Sequence, residues 1–402
     1  MSDRIAVIKL LEGAGAWNDY MAGNPATEYD FKNAELSELQ SLAGYHFDGK
    51  ANFSGAKFLK LDTGQAEFKS GAHFDRISIS GSAIINTAGA GTVSFREARF
   101  EGPVSITSVF NVTLDFTRAS FSQLVQLTHS FSGELNFDKT DIQRGLIARD
   151  VAFFRNVYFR KAYIGRTGEP FDFDMRNCKF KGAANFSGLN ATGVFRIAGC
   201  EFGARTYLRN ATFYLAPAFH GTTLHAETIF NVPEKFDRQF MDVTSDRAEA
   251  RYRTLKLLMS DHHAIAEQLA FGRLELKSRA RQLGPAWWLS VFGCYELFAD
   301  NGMSWLRPLF WLIAGVGVGW MTLWNLALPG TDWKNSELMA MALGNAVPYV
   351  TTLKVFGPSK IADLFDVSVL PWVEMASIGS GLFSTIMLFL IALGIRNRLR
   401  LK

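Results

Sequence analysis

Three groups of residues in this sequence have types and spacings that could do chemistry. Asp261, His262, His263 and Glu267 form a compact polar group. His263 and Glu267 are four apart, so a single helix face would present both to a metal ion. No third ligand is evident, and an ordinary exposed helix face is the expectation, with no metal. Cys178 and Cys200 each stand two places before a phenylalanine, Phe180 and Phe202. Stacked in successive turns they would be near enough for a disulfide. In a reducing compartment both are expected to be small core fillers instead. Cys294 has no visible partner. Asp172 and Asp174 alternate with Phe171 and Phe173. That reads as outward polar against inward apolar on a strand, not as a catalytic carboxylate pair. No Ser/His/Asp order, Walker loop or G-x-G-x-x-G after a strand occurs. The chain is therefore expected not to be an enzyme and to use no cofactor.

These residues sit in a chain of 402 residues, 48% hydrophobic and 20% charged, with a formal net charge of +4. That length allows two or three domains. Eleven prolines and the modest charge argue against disorder. Three cysteines exclude a disulfide-dense secreted scaffold. The mild positive charge is too small to imply a nucleic-acid partner. Phenylalanine stands out: there are 35, and 26 of them fall between Phe47 and Phe240.

Their spacing is regular. Ala51-Asn-Phe53 is followed by Ala56-Lys-Phe58, then Ala66-Glu-Phe68 and Ala72-His-Phe74. Val93-Ser-Phe95, Ala98-Arg-Phe100, Cys178-Lys-Phe180, Ala184-Asn-Phe186, Cys200-Glu-Phe202 and Ala211-Thr-Phe213 continue the series, and Phe121, Phe137 and Phe159 belong with it. The period is five, with slips to six or seven, which is neither a helical nor a simple strand period. One large and one small apolar residue per short unit mark a solenoid over 47–240. The register is hardest to read around Ile77 to Ala90, Pro103 to Val112 and Ser187 to Phe195.

The A-x-F-x-x units, as in ANFSGAKF, resemble pentapeptide repeats. The resemblance implies a mainly β fold, a right-handed quadrilateral β-helix in which four units make one square coil. The central Phe or Leu and the small residue before it then point inward. About nine coils and a rod on the order of 45 Å follow, at roughly 4.8 Å per coil. Phenylalanines form one ladder up the interior, with Gly55, Gly102, Gly133, Gly182 and Gly188 in the turns. Residues 1–46, which lack a secretory signal, read as an N-terminal helix and cap, with Ile8, Leu11 and Trp17 among its apolar positions. LLEGAGAWNDY is similar to the leader helix that often precedes these repeats. The stretch Ala248 to Arg281 reads as helical, within a juxtamembrane linker at 241–300. Linker and C-terminus resemble those of bacterial members that carry a two-span membrane domain, here 301–402. Some soluble members of the family imitate DNA and bind gyrase. Those rods are acidic, whereas 47–240 holds 23 Lys plus Arg against 18 Asp plus Glu, a net +5. Arg144, Arg149, Arg155, Arg160, Lys161 and Arg166 are expected outward, as a solvated basic face.

Two long apolar strings come late. Residues 305–328 and 372–395 each carry one charged residue, Arg307 and Glu374. Each is long enough to cross a bilayer core of roughly 30 Å as a helix. Four basic residues follow the second string at 396–402, and 251–281 holds seven basic against three acidic residues. The intervening loop has three basic and four acidic residues. The positive-inside rule then expects both termini in the cytoplasm of a cell with the protein in its inner membrane.

Within these spans, Gly315 and Gly319 form a G-x-x-x-G, and Ser377 and Gly381 a small-x-x-x-small pair. Those faces are expected to pack against each other or across protomers of a homo-oligomer. Glu374, at the bilayer edge, and Lys354, in the loop, are candidate pore or loop positions. Met339 to Val350 could form a pore helix, but Thr351 to Gly357 lacks the carbonyl ladder of a potassium filter, and Lys354 would repel cations there. The expectation is a membrane-anchored scaffold with a protein partner; the alternative is an oligomeric channel-like protein regulated by its solenoid.

Overall fold

The computed structural model describes residues 4–64, 66–107, 110–165, 172–231, 235–328, 335–346 and 358–400. The chain forms two compact units, Met1–Glu275 and Leu276–Lys402.

In the first unit, residues 28–213 wind into a β-solenoid whose strands are two to eight residues long and pair in parallel. The strands gather into four sheets, the largest joining two sides where the strand Thr87–Ser94 pairs with both Ala66–Phe68 and Ala72–His73, and the most regular side stacks eight strands. About eight turns result, or roughly 40 Å at about 4.8 Å per turn, against the nine expected. Ala51 pairs with Ala72, and Ala72 with Val93, so these successive turns are equal in length. The turn is slightly longer where Leu135 pairs with Val157. It is longest where Val157 pairs with Ala184, because extra chain is inserted between Ile164 and Phe173.

The solenoid starts at Glu28, ahead of the expected residue 47, since Tyr29 pairs with Ala51. Tyr29 stands in the column of the small residues Ala51 and Ala72, and Leu36 fills the first turn in the column of Phe58. At the far end, single bridges such as Tyr207 to Ile229 and Phe213 to Phe240 carry a last, irregular turn.

One corner explains the short period. Asn33, Gly55, Arg76, Glu97, Arg118, Lys139, Lys161, Gly188 and Asn210 all have φ between 56° and 74°. Each but Asn210 lies two places after a phenylalanine. A left-handed residue there turns the chain sharply. Only Gly55 and Gly188 of the five expected turn glycines do this. Gly102, Gly133 and Gly182 are needed for another reason: a Cβ would overlap backbone of the turn below, at Gly81, Val112 and Arg155 respectively.

All thirteen predicted core phenylalanines are buried. They occupy several columns rather than a single ladder. Phe31, Phe53, Phe74, Phe95, Phe116, Phe137, Phe159 and Phe186 form one unbroken stack, with successive centroids 4.7–5.6 Å apart and planes within 13°. Phe131, Phe153, Phe180 and Phe202 form another. Phe100 and Phe121 stack at 4.7 Å. Their column otherwise mixes aromatic with aliphatic residues, since Phe58 pairs with Ile79, Phe121 with Ile142 and Ile142 with Ile164. The Phe213 ring lies 5.4 Å from Phe240, and Phe68 stacks on Phe47. Offset stacking of this kind adds about 0.5–1.5 kcal/mol per pair to the burial itself.

Helices close both ends. Helices α1 (Arg4–Glu12) and α2 (Ala14–Gly23) break at Gly13. Trp17 is fully buried, packs on Tyr29, Phe31 and Phe47, and donates from Nε1 to the His46 carbonyl at 2.9 Å. Ala6 and Leu10 are the buried positions of α1, whereas Ile8 and Leu11 are exposed. Helices α3 (Phe236–Gln239), α4 (Ala248–Asp261) and α5 (Ile265–Arg281) follow the last turn. Phe240, Phe236, Phe271 and Tyr252 continue the aromatic core, so α4 and the first part of α5 cap the solenoid.

The second unit contains α6 (Val291–Ala299), α7 (Leu306–Leu326), α8 (Asn335–Ala346), α9 (Pro358–Leu364) and α10 (Leu370–Arg400). Helices α7 and α10 are long and apolar enough to cross a membrane. Helix α8, of 12 residues, spans about 18 Å and is too short.

Candidate functional site

The solenoid presents a cross-linked polar surface. Each phenylalanine of the long stack is flanked by outward residues, which meet their counterparts one turn away. Arg96 donates from Nε to Asp115 at 2.6 Å. Asp75 bonds the Ser94 hydroxyl and accepts from the Arg96 backbone N–H. Arg160 pairs with Asp138, its guanidinium 5.2 Å from the Tyr158 ring centroid. Arg176 grips Asp174 with two bonds of 2.9 and 2.8 Å. The carboxylates of Asp115, Asp138 and Asp174 are nearly buried while their arginines reach solvent. The first two pairs tie successive turns together, the third lies within one strand, and each fixes where a charge is displayed.

The expected basic face divides. Arg144, Arg149, Arg155, Arg160 and Lys161 are all exposed. They fall within a single turn, at the ends of strands belonging to different sides. One turn visits every side of the square, so they ring the solenoid rather than share a patch. Arg166 lies outside the described residues. Single exposed apolar side chains occur among them: Phe154 carries the Lys181 ammonium 4.5 Å from its ring centroid.

The other polar groups of the sequence take structural places. The helix breaks at His262 and His263, the latter with φ of 56°, so His263 and Glu267 do not share a helix. Among the described residues no group of three His, Cys, Asp or Glu stands ready for a metal ion. Cys178 and Cys200 are buried free thiols in successive turns, with the Cys178 N–H 3.4 Å from the Cys200 sulfur. The hydrogen bond with Cys178, and then burial, push the Cys200 thiol up. Asp174 is nearly buried beside Phe173 and paired with Arg176, so it is a structural carboxylate covered by its arginine rather than an open outward one.

In the second unit the two small-residue pairs serve different neighbours and do not meet. A Cβ on Gly315 would stand 2.6 Å from the Phe383 ring, and one on Gly319 3.2 Å from the Ser380 hydroxyl. The glycine face of α7 thus receives α10 directly. Ser377 accepts from the Asn345 side chain at 3.2 Å, and a Cβ on Gly381 would lie 3.5 Å from the Asn345 carbonyl. That face of α10 receives α8. Ser380 is three places on from Ser377, a rotation of about 60° around the helix, which separates the two surfaces. Leu323, Leu338, Met341, Leu364 and Val373 form the shared core. Asn397 donates to the Gly302 carbonyl at 3.0 Å, fixing the end of α10 beside the start of α7. Glu374 is exposed near the start of α10, on the rim of a cavity of about 340 Å³ that Asp366 also lines. Lys354 and the segment Thr351 to Gly357 lie outside the described residues. Compared with family models, curated proteins and solved structures, the chain matches none.

Proposed function

We propose that this chain is a non-enzymatic pentapeptide-repeat protein, anchored in an inner membrane, whose cytoplasmic solenoid is a scaffold for a protein partner. The observation that carries this is the pairing of two features in one chain. One is a β-solenoid whose sides display ordered, cross-linked charges at a regular rise. The other is a pair of helices long and apolar enough to cross a membrane. Solenoids commonly bind along such sides, because the spacing of side chains is fixed before the partner arrives. The A-x-F units and their inward Phe and small residues support the family reading.

Site-specific photocrosslinking in native membranes tests the scaffold. Probes replace outward residues on each side of the solenoid, Phe154 among them. A partner adduct confined to one side, and lost when the charges there are reversed, is the expected result. Uniformly weak or absent adducts on every side contradict it.

A second reading is an oligomeric channel-like protein with the solenoid as its regulatory domain. It is favoured by α8, a short helix held against both apolar helices through Asn345 and Met341. A ring of four or five protomers with ion flux in liposomes would select it. A monomer would eliminate it.

A further inference from the structure

Helix α4 and the last turn of the solenoid border an open cleft of about 260 Å³. Four nitrogen-bearing side chains line it: Arg196 and His220 from the solenoid, Arg247 and Arg251 from the start of α4. Phe219 and Thr254 complete the wall. Arg251 donates from Nη1 to the Ala216 carbonyl at 2.8 Å, which fixes its guanidinium and leaves the other donors of its fork available.

Acidic groups are near, and two of them pair with Arg196 while also making bonds outside the cleft. Arg196 lies 3.5 Å from Asp172 and 3.2 Å from Asp174. Asp174 also holds Arg176, and Asp172 accepts from the Val194 N–H. Asp242 accepts from the Ala216 N–H and the Ser245 hydroxyl. Arg247 has no acidic partner among the described residues. Burial, then Arg196 and Arg247, push the Arg251 pKa down, against the opposite pull of Asp242 and Asp172.

We propose that this cleft binds a phosphate-type oxyanion, either free phosphate or the phosphomonoester headgroup of a lipid. Guanidinium forks match the oxygens of such an anion in pairs, which a single ammonium does not. The volume equals that of about nine waters at roughly 30 Å³ each. That admits one phosphate group with part of its hydration and falls short of the usual pocket for a larger organic ligand. This inference stands apart from the scaffold reading.

The test uses full-length protein in phosphatidylcholine nanodiscs, with inorganic phosphate as the probe and chloride at matched ionic strength as the control. Phosphate should raise the unfolding midpoint of the solenoid saturably, as a ligand of the native state does. Arg247→Gln, at an exposed residue whose charge repels Arg251, should keep or slightly raise the unliganded midpoint and weaken phosphate at least about tenfold. Arg251→Lys, which keeps the charge and loses the fork, should also weaken it. Nanodiscs containing phosphatidic acid separate the sources. A raised midpoint without added phosphate identifies the lipid, whereas an unchanged one with the phosphate response retained identifies the soluble anion. No phosphate-specific shift in the wild type, or an equal shift in Arg247→Gln, overturns the proposal.

Discussion

Phe95 lies face to face with Phe116, their ring centroids 5.0 Å apart and their planes 10° from parallel. The contact repeats with Phe74 below, so each ring supports two others. Removing one should therefore cost more than its own burial. Phe95→Ala should lose about 3–5 kcal/mol, a large share of the 5–15 kcal/mol typical of a domain. Phe95→Asp, which buries an unpaired charge, should abolish the β signal in circular dichroism of the full-length protein in detergent. Retention of that signal would place Phe95 outside the core.

Gly133 passes so close to Val112 that any Cβ overlaps its carbonyl. Gly133→Ala should destabilise the solenoid by about 1–3 kcal/mol, the usual cost of overpacking. Lys139→Gly, at a left-handed corner with φ of 57°, should be neutral or stabilising despite the flexibility it adds. Chemical denaturation of both variants checks the contrast.

In the membrane unit, Gly315→Ala should lower the thermal midpoint in nanodiscs, since its Cβ meets Phe383. Adding Phe383→Ala should recover part of the loss, with a coupling of about 0.5–3 kcal/mol. Gly317→Ala, with nothing within 4 Å of the new Cβ, should change little.

Asp242 is nearly buried, at 6% exposure. Burial opposes its ionisation, but the Ser245 hydroxyl and the N–H groups of Ala216, Ser245 and Thr244 hold it below the ordinary carboxylate range. The unfolded chain therefore takes up this proton more readily than the folded one. The contribution of Asp242 to stability is full above about pH 4 and is lost as pH falls through its lower folded value. Urea unfolding against pH should show this acid limb, and Asp242→Asn should flatten it while lowering stability at neutral pH.

Only part of this was legible in the sequence. The A-x-F units identified the repeat and its core because Phe at a short period has few other uses. The first turn escaped because Tyr29 and Leu36 took the places of a small residue and a Phe. Ile79 and Ile106 blurred the register for the same reason: an aliphatic side chain fills the column without announcing it. The caps were harder. Tyr252, Leu255 and Met259 repeat at helical spacing, which signals an amphipathic helix and not the surface it covers. Arg196 and Arg251 are far apart in the chain and meet only through the last turn, so no local motif marks their cleft. The two small-residue pairs were visible, but which helix each receives depends on rotations of about 60°.

A solenoid held at a membrane and displayed to the cytoplasm should be open to protease from one side only. Digestion of vesicles of known orientation tests this most directly, with antibodies to the solenoid and to the C-terminal segment. In inside-out vesicles both epitopes should be destroyed, while carbonate-resistant fragments containing α7 and α10 remain. In right-side-out vesicles both should survive. Release of the intact chain by carbonate, or loss of the solenoid epitope from right-side-out vesicles, would contradict the membrane-held, cytoplasmic arrangement.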